Sequence, residues 1–305
     1  MRQELILNET LAEGLDLIGD RWTLLILRES FYGFTRFEDF RQNTGISRAT
    51  LTRRLNTLIE AGVFGKRAVQ SGVRKEYQLT RKGVALLDAS LLALQWEADW
   101  NQSNSKARQV IQSIKHKSCG QHLKPKVVCA ACKEPIHYSQ IKWLDSEQNF
   151  EVQVSSIKAS HAKTRKRGTL NGSLVDANLI DLIADRWSIL ILVACFFDTS
   201  RFDTFIKKLN IPSSVLAERL RFMQEHGIMQ RKEYEAKPLR FEYTLTDKGK
   251  SLFPFVMLLR QWVNEVMLEL PSNPRLVHEP CGQPLRFALV CAACDEQPSA
   301  SEIVF

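Results

Sequence analysis

The stretch Asp20-Arg-Trp-Thr-Leu-Leu-Ile-Leu27, DRWTLLIL, returns 165 residues later as DRWSILIL, Asp185 to Leu192. A longer repeat aligns outward from these two anchors. Arg36-Phe37 matches Arg201-Phe202 at the same offset, and YQLTRKG (Tyr77 to Gly83) matches YTLTDKG (Tyr243 to Gly249) at offset 166, as Trp96 does Trp262. His116, Cys119, Gly120, Cys129 and Cys132 match His278, Cys281, Gly282, Cys291 and Cys294 at offset 162. The drift in offset places insertions in loops, where a duplicated fold tolerates them. The chain of 305 residues therefore holds two copies of one unit, roughly 1–137 and 174–305.

Within the first copy, apolar residues at 15, 18, 22, 25 and 26 have the spacing of an amphipathic helix running from Leu11 to Phe31. A short helix from Arg36 to Asn43 follows, with Phe37 and Phe40 facing inward. Gly45-Ile46-Ser47 supplies a turn and an N-cap, and the next helix, Ser47 to Ala61, buries Leu51, Leu55, Leu58 and Ile59. Two extended runs, Val63–Val69 and Arg74–Leu79, read as a hairpin, and a long helix from Arg81 to Gln102 closes the unit. Helix, short helix, turn, helix and hairpin is the order of a winged helix-turn-helix. The second copy repeats it, with helices from 174 and 201, a helix over 212–226, a hairpin over 228–245 and a helix over 247–270.

The fold class expected is mainly α with small β-hairpins: two winged helix-turn-helix domains, each followed by a small zinc-knuckle-like extension. The boundaries are 9–107 for the first domain, 108–137 for its extension, 138–173 for a linker, 174–272 for the second domain and 273–305 for its extension. The linker contains KASHAKTRKRGTLNGS (158–173), whose bases and small residues suit a solvated tether that is also able to touch phosphates.

These residues resemble the HxlR-type bacterial transcriptional regulators. The resemblance rests on LIGDRWTLLIL (17–27), Arg36-Phe37, GISRATLTRRL (45–55), Glu60-Ala-Gly62, EYQLT (76–80) and Lys82-Gly83, and it spans about 90 residues of each copy. It implies DNA-binding winged helices that pair through their terminal helices. Such pairing predicts contact between helix 82–102 and helix 247–270, with Trp96, Trp100 and Trp262 near it; packing of each tryptophan within its own unit is the alternative. Some relatives sense thiol-reactive compounds through a cysteine near the N-terminus. This chain has none before Cys119, so that mechanism is not carried over.

In a helix-turn-helix the second helix enters the major groove. At about 100° per residue the buried leucines turn Ala49, Arg53, Asn56 and Thr57 outward. Arg53 is the candidate base contact, because a guanidinium grips guanine O6 and N7 bidentately. Ser47, Arg48, Thr50 and Arg54 are expected to position the helix on phosphates. The second copy places Ser213, Ser214, Glu218, Arg219 and Arg221 on its equivalent helix. Glu218 stands where the first copy has Arg53, and Ser213 where it has Arg48, so the first copy is expected to be the stronger reader. The wings carry Arg74 and Lys75, and Lys237 and Arg240, as phosphate ligands or ordinary exposed bases.

The cysteines share the pattern H-x2-C-G-x8-C-x2-C in both copies, HKSCGQHLKPKVVCAAC (116–132) and HEPCGQPLRFALVCAAC (278–294). One imidazole and three thiolates suit a closed tetrahedral zinc site, so His116, Cys119, Cys129 and Cys132 are expected to hold one structural zinc. His278, Cys281, Cys291 and Cys294 are expected to hold a second. Redox-paired or simply buried thiols are the alternatives. His122 and His137 have no counterpart in the second copy, and Cys195, in an apolar run, reads as a core residue.

Lys and Arg total 42 against 34 Asp and Glu, a surplus that favours a polyanionic partner. No apolar run approaches the roughly 20 residues of a membrane span, and a cytoplasmic location is expected. No P-loop, G-x-S-x-G or His-Glu-x-x-His marks an enzyme. The expected partner is double-stranded DNA, bound by a monomeric pseudo-dimer or a homodimer, with any small-molecule effector unmarked by the sequence. A protein-interaction adaptor, in which the second copy docks a partner instead of DNA, is the competing reading.

Overall fold

A computed structural model describes residues 11, 14–69, 74–100, 105–143, 178–183, 185–236, 239–270 and 276–304. Lys237 and the linker beyond residue 143 lie outside these residues.

Helix α1 (Arg21–Phe31) starts where it does because Asp20 is extended, at φ −125° and ψ 146°, and its carboxylate accepts from the Trp22 and Thr23 amides. The single helix expected from Leu11 to Phe31 is therefore interrupted: residues 14–18 are helical, the chain breaks at Gly19-Asp20, and α1 begins anew. Apolar spacing continues across that break, so periodicity alone does not detect it. The second copy does the same. Its α7 (Asn178–Ile183) precedes Asp185, which caps α8 (Arg186–Phe196) by accepting from Ser188 N at 3.0 Å.

Helix α2 (Phe37–Thr44) and helix α3 (Arg48–Glu60) are joined through Gly45, at φ 70°. The equivalent joint between α9 (Phe202–Leu209) and α10 (Ser213–Glu225) is Asn210, at φ 49°. Glycine and asparagine enter this left-handed region at least cost, so both copies turn at the same place with different residues. Strands β1 (Phe64–Val69) and β2 (Arg74–Leu79) form the first wing, and β6 (Met229–Ala236) and β7 (Leu239–Leu245) the second. The Arg-Phe motif ties each wing to its helices. Arg36 pairs its backbone with that of Glu76, and Arg201 with Glu242, in isolated antiparallel β-bridges, while Tyr77 N donates to Thr35 O at 2.8 Å and Tyr243 N to Ser200 O at 2.7 Å.

The closing helix expected from Arg81 to Gln102 is broken one turn in, giving α4 (Arg81–Val84) and α5 (Leu87–Trp100), with α6 (Ser105–Ser113) following. In the second copy α11 (Asp247–Lys250) precedes α12 (Phe253–Trp262), which runs into a π-helical turn, Val263–Met267. Each break follows a threonine cap: Thr80 Oγ1 accepts from Gly83 N at 3.4 Å and Thr246 Oγ1 from Gly249 N at 3.2 Å.

Helices α5 and α12 pack against one another across the copies. Trp96 Nε1 donates to Ser251 Oγ at 2.9 Å and Lys248 O at 3.3 Å, and Trp262 Nε1 donates to Lys82 O at 2.8 Å. Lys82 and Lys248 are repeat equivalents, so the two tryptophans make one pseudo-symmetric exchange; Trp100, 40% exposed, takes no part in it. The apolar core is continuous through both units, joining Phe40, Leu51 and Leu55 to Phe205, Leu216 and Leu220.

The helical turn containing Gly14 crosses the end of the other copy's closing helix. A Cβ on Gly14 would lie 2.2 Å from Val263 Cγ2. The repeat-equivalent contact is Leu179 N donating to the Glu97 carboxylate. In an isolated helix Gly→Ala stabilises by about 1 kcal/mol. Overpacking of a filled core costs about 1–3 kcal/mol, so the clash is expected to win. Gly14→Ala should lower Tm by a few degrees in a thermal melt; an unchanged or raised Tm would show that Val263 yields.

Beyond the helices the copies interleave. Strand β4 (Pro125–Cys129) pairs antiparallel with β10 (Phe287–Cys291), in register from Phe287 opposite Cys129 to Cys291 opposite Pro125. Strand β3 (Lys115–His116) pairs with β11 (Ile303–Val304), and β5 (Ile141–Trp143) with β8 (Leu276–His278), which also takes β9 (Gln283–Pro284). The expectation of two separate extensions is corrected: they form one module in which the strands of each copy pair with strands of the other. Residues 138–143, placed in the linker by composition, belong to it as a 3-10 turn (Tyr138–Gln140) and β5. Among the described residues no helix is long and apolar enough to cross a membrane.

Candidate nucleic-acid interface and metal centres

Helix α3, the expected reading helix, is capped by Ser47, whose Oγ accepts from Thr50 N at 3.3 Å and donates to Thr50 Oγ1 at 2.9 Å. Both hydroxyls expected on phosphates are thus engaged in the cap. Arg53 and Asn56 are exposed, and among the described residues the Arg53 side chain makes no hydrogen bond or ion pair. Arg48 is exposed but held: it pairs with Glu38, and its guanidinium carbon lies 5.5 Å from the Phe37 ring centroid.

Arg54 departs from the phosphate role expected of it. It is half-buried, with Nε 3.3 Å from Asp20 Oδ1, so it reaches inward to the cap of α1 instead of outward. Arg219 does the same in the second copy, with Nε 2.8 Å from Asp185 Oδ2. The aspartate of DRW therefore does two things. It starts the supporting helix and fixes the reading helix upon it.

On α10, Ser213, Ser214, Glu218 and Arg221 are exposed, and Pro212 at the cap position offers no side-chain bond. Glu218 Oε1 lies 3.5 Å from Arg219 Nη1. In the wings, Arg74 and Lys75 open β2, Lys75 being exposed, and Arg240 is exposed with Nε 3.4 Å from Glu235 Oε2.

The eight ligand candidates gather into two clusters, but not the two expected. His116 and Cys119 meet Cys291 and Cys294, while Cys129 and Cys132 meet His278 and Cys281, with the ligand atoms of each set within 4.8 Å of one another. The cause is the β4–β10 ladder. Its antiparallel register carries each Cys-Ala-Ala-Cys knuckle away from its own His-x2-Cys turn to that of the other copy. Ala130 N donates to Arg286 O and Ala292 N to Lys124 O, both at 2.9 Å, and hold the exchange at each end. Spacing along one sequence gives the ligand types but not this partition.

The donor atoms fit a tetrahedral ion. His116 Nδ1 lies 3.5 Å from Cys119 Sγ and 3.4 Å from Cys294 Sγ, and His278 Nδ1 lies 3.5 Å from Cys281 Sγ and 3.3 Å from Cys132 Sγ. Cys129 Sγ and Cys281 Sγ are 4.0 Å apart. With Zn–S about 2.3 Å and Zn–N about 2.0–2.1 Å, a tetrahedron has N···S edges of about 3.5 Å and S···S edges of about 3.8 Å. Both imidazoles are fully buried and turn Nδ1 toward the thiols, leaving Nε2 without a partner among the described residues. Burial pushes the Cys129 thiol up, but hydrogen bonds from the amides of Cys132 and Ala131 and with the Cys132 and Cys281 side chains together hold the group below the usual thiol value. Cys291 is held low in the same way by Ala293 and Cys294. His122 and His137 are exposed and outside both clusters, and Cys195 packs against the core, where burial raises its pKa.

A family model described as HxlR-like helix-turn-helix matches residues 17–105 and 182–270. An uncharacterised HTH-type transcriptional regulator of Mycobacterium tuberculosis is 39% identical over 130 residues, covering 42% of this chain and 80% of that one. That alignment is longer than either region the family model matches. The uncharacterised HTH-type transcriptional regulator YvaP of Bacillus subtilis is 34% identical over 87 residues, 28% of this chain and 81% of that one. A solved structure of a candidate transcription factor from Pseudomonas aeruginosa is 28% identical, covers 42% of this chain and 88% of that one, and gives a TM-score of 0.34.

Proposed function

The chain belongs to the HxlR-like helix-turn-helix family, and from that premise we propose that it is a sequence-specific, double-stranded-DNA-binding regulator of transcription whose two fused units read the duplex as an internal pseudo-dimer. The observation that carries this reading is the outward face of α3. It follows a left-handed turn, sits on a helix anchored through Asp20, and leaves Arg53 exposed and unpaired among the described residues. Such a helix is presented as the major groove requires. Fusion replaces the encounter of two chains by a tether, and it permits an operator with unequal halves.

The two Cys/His clusters complete the reading as structural zinc sites. Four protein ligands leave no open position for a reacting water, which agrees with a binding protein.

Selection of duplexes from a random pool by the full chain, followed by titration over a range of salt, tests the proposal. One enriched sequence is expected, with log K falling linearly against log salt as counterions leave the phosphates. Binding no tighter than to random DNA would sink it in favour of the protein-docking adaptor.

A further inference from the structure

We infer that the two metal centres are staples between the copies, each ion bonded to two ligands from one copy and two from the other. The inference rests on the reading of the clusters as zinc sites, and it adds what those ions join. In an ordinary zinc knuckle all ligands come from one short segment, and the metal folds that segment alone. Here His116 and Cys119 stand on one side of the first ion and Cys291 and Cys294 on the other. Cys129 and Cys132 face His278 and Cys281 across the second.

Three independent features of the chain agree with that wiring. The β4–β10 ladder crosses the copies with Cys129 opposite Phe287 and Cys291 opposite Pro125, which sets the two knuckles at opposite ends of one shared sheet. The strand after each knuckle then pairs beside the other copy's histidine, with Ile303 opposite His116 and Ile141 opposite His278. Beneath one end of the module, Leu87, Leu91, Ile111, Ile114 and Leu123 of the first copy form a single apolar cluster with Leu289 and Ile303 of the second. Neither half-site has four ligands of its own within reach, so neither copy completes a closed site alone. The soft thiolate-rich donor set selects zinc over hard cations such as magnesium.

Paired substitutions read the wiring directly, with zinc per chain measured by elemental mass spectrometry on the full-length protein. Wild type is expected to carry two zinc ions, one for each cluster. Cys119→Ser with Cys294→Ser removes two ligands of one staple, so that variant should keep one ion, as should Cys132→Ser with Cys281→Ser. Cys119→Ser with Cys132→Ser damages both staples and should keep none, as should Cys281→Ser with Cys294→Ser. Sites closed within each copy would give the reverse pattern and overturn the staple while leaving zinc itself in place. A wild-type chain without zinc would overturn the zinc reading beneath it.

Because a double substitution is able to unfold the module, the wild-type chain loaded with cadmium supplies a second measurement. Cadmium–proton couplings in its NMR spectrum should connect one ion to the β-protons of Cys119, Cys291 and Cys294 and the other to those of Cys129, Cys132 and Cys281. A cadmium coupled to both Cys119 and Cys129 would overturn the inference whatever the variants do.

Discussion

Stripping the metal from the purified chain is expected to lower its Tm by about 10 °C or more, the largest stability effect any of these features predicts. Structural zinc contributes about 10–16 kcal/mol of apparent binding free energy in small zinc-dependent peptides. Much less is expected to appear here, because the copies are also held by the continuous core and by the Trp96 and Trp262 exchange. His116, His278, Cys129 and Cys291 are fully buried, and the donor atoms of each cluster crowd within 4.8 Å of one another. Duplex affinity should fall together with stability, since two heads held in register gain avidity that two loosely tethered heads lose. Differential scanning calorimetry before and after chelation, with metal content verified on the same samples, checks this. Zinc should restore the transition and magnesium should not. An unchanged Tm in a chain shown to be metal-free would mean that the module stands without its ions.

The sequence already contained the duplication, the helix-turn-helix order and the eight candidate ligands, because each depends on residue types at short spacing. Gly45, the Ser47 cap and the apolar faces of α3 and α10 are local signals of that kind. What stayed hidden depends on contacts between distant segments. The Arg54–Asp20 and Arg219–Asp185 pairs join the supporting and reading helices, and outward placement on a helical wheel does not reveal that a long arginine folds back. The partition of the ligands is the sharper case. An H-x2-C turn and a C-x2-C knuckle in one copy are complementary in chemistry, and so are the same pieces taken from opposite copies. The cross-copy ladders, β4 against β10 first among them, decide between the two arrangements. The repeat did carry one clue, since identical half-sites in two copies of one chain are what a reciprocal exchange needs.

Reversing the charge at two equivalent positions is expected to move DNA affinity in opposite directions. Arg53→Glu should weaken binding to the selected duplex about 30-fold or more. A bidentate contact to guanine contributes about 1–3 kcal/mol, and the new carboxylate faces phosphate. Glu218→Arg, on the equivalent face of α10, should strengthen binding about 3–10-fold and steepen the salt dependence by about one phosphate. Its present carboxylate lies beside Arg219, which is already committed to Asp185, so removing it leaves no inward partner stranded. Arg54→Ala supplies the contrast. With Nε on Asp20 it should lower Tm while leaving the salt slope unchanged, whereas a true phosphate ligand would flatten the slope. Fluorescence anisotropy over several salt concentrations measures all three variants on one duplex. If Arg53→Glu binds within twofold of wild type, α3 is not the reading helix. If Glu218→Arg weakens binding, the second copy either accepts from a cytosine through that carboxylate or meets something other than DNA.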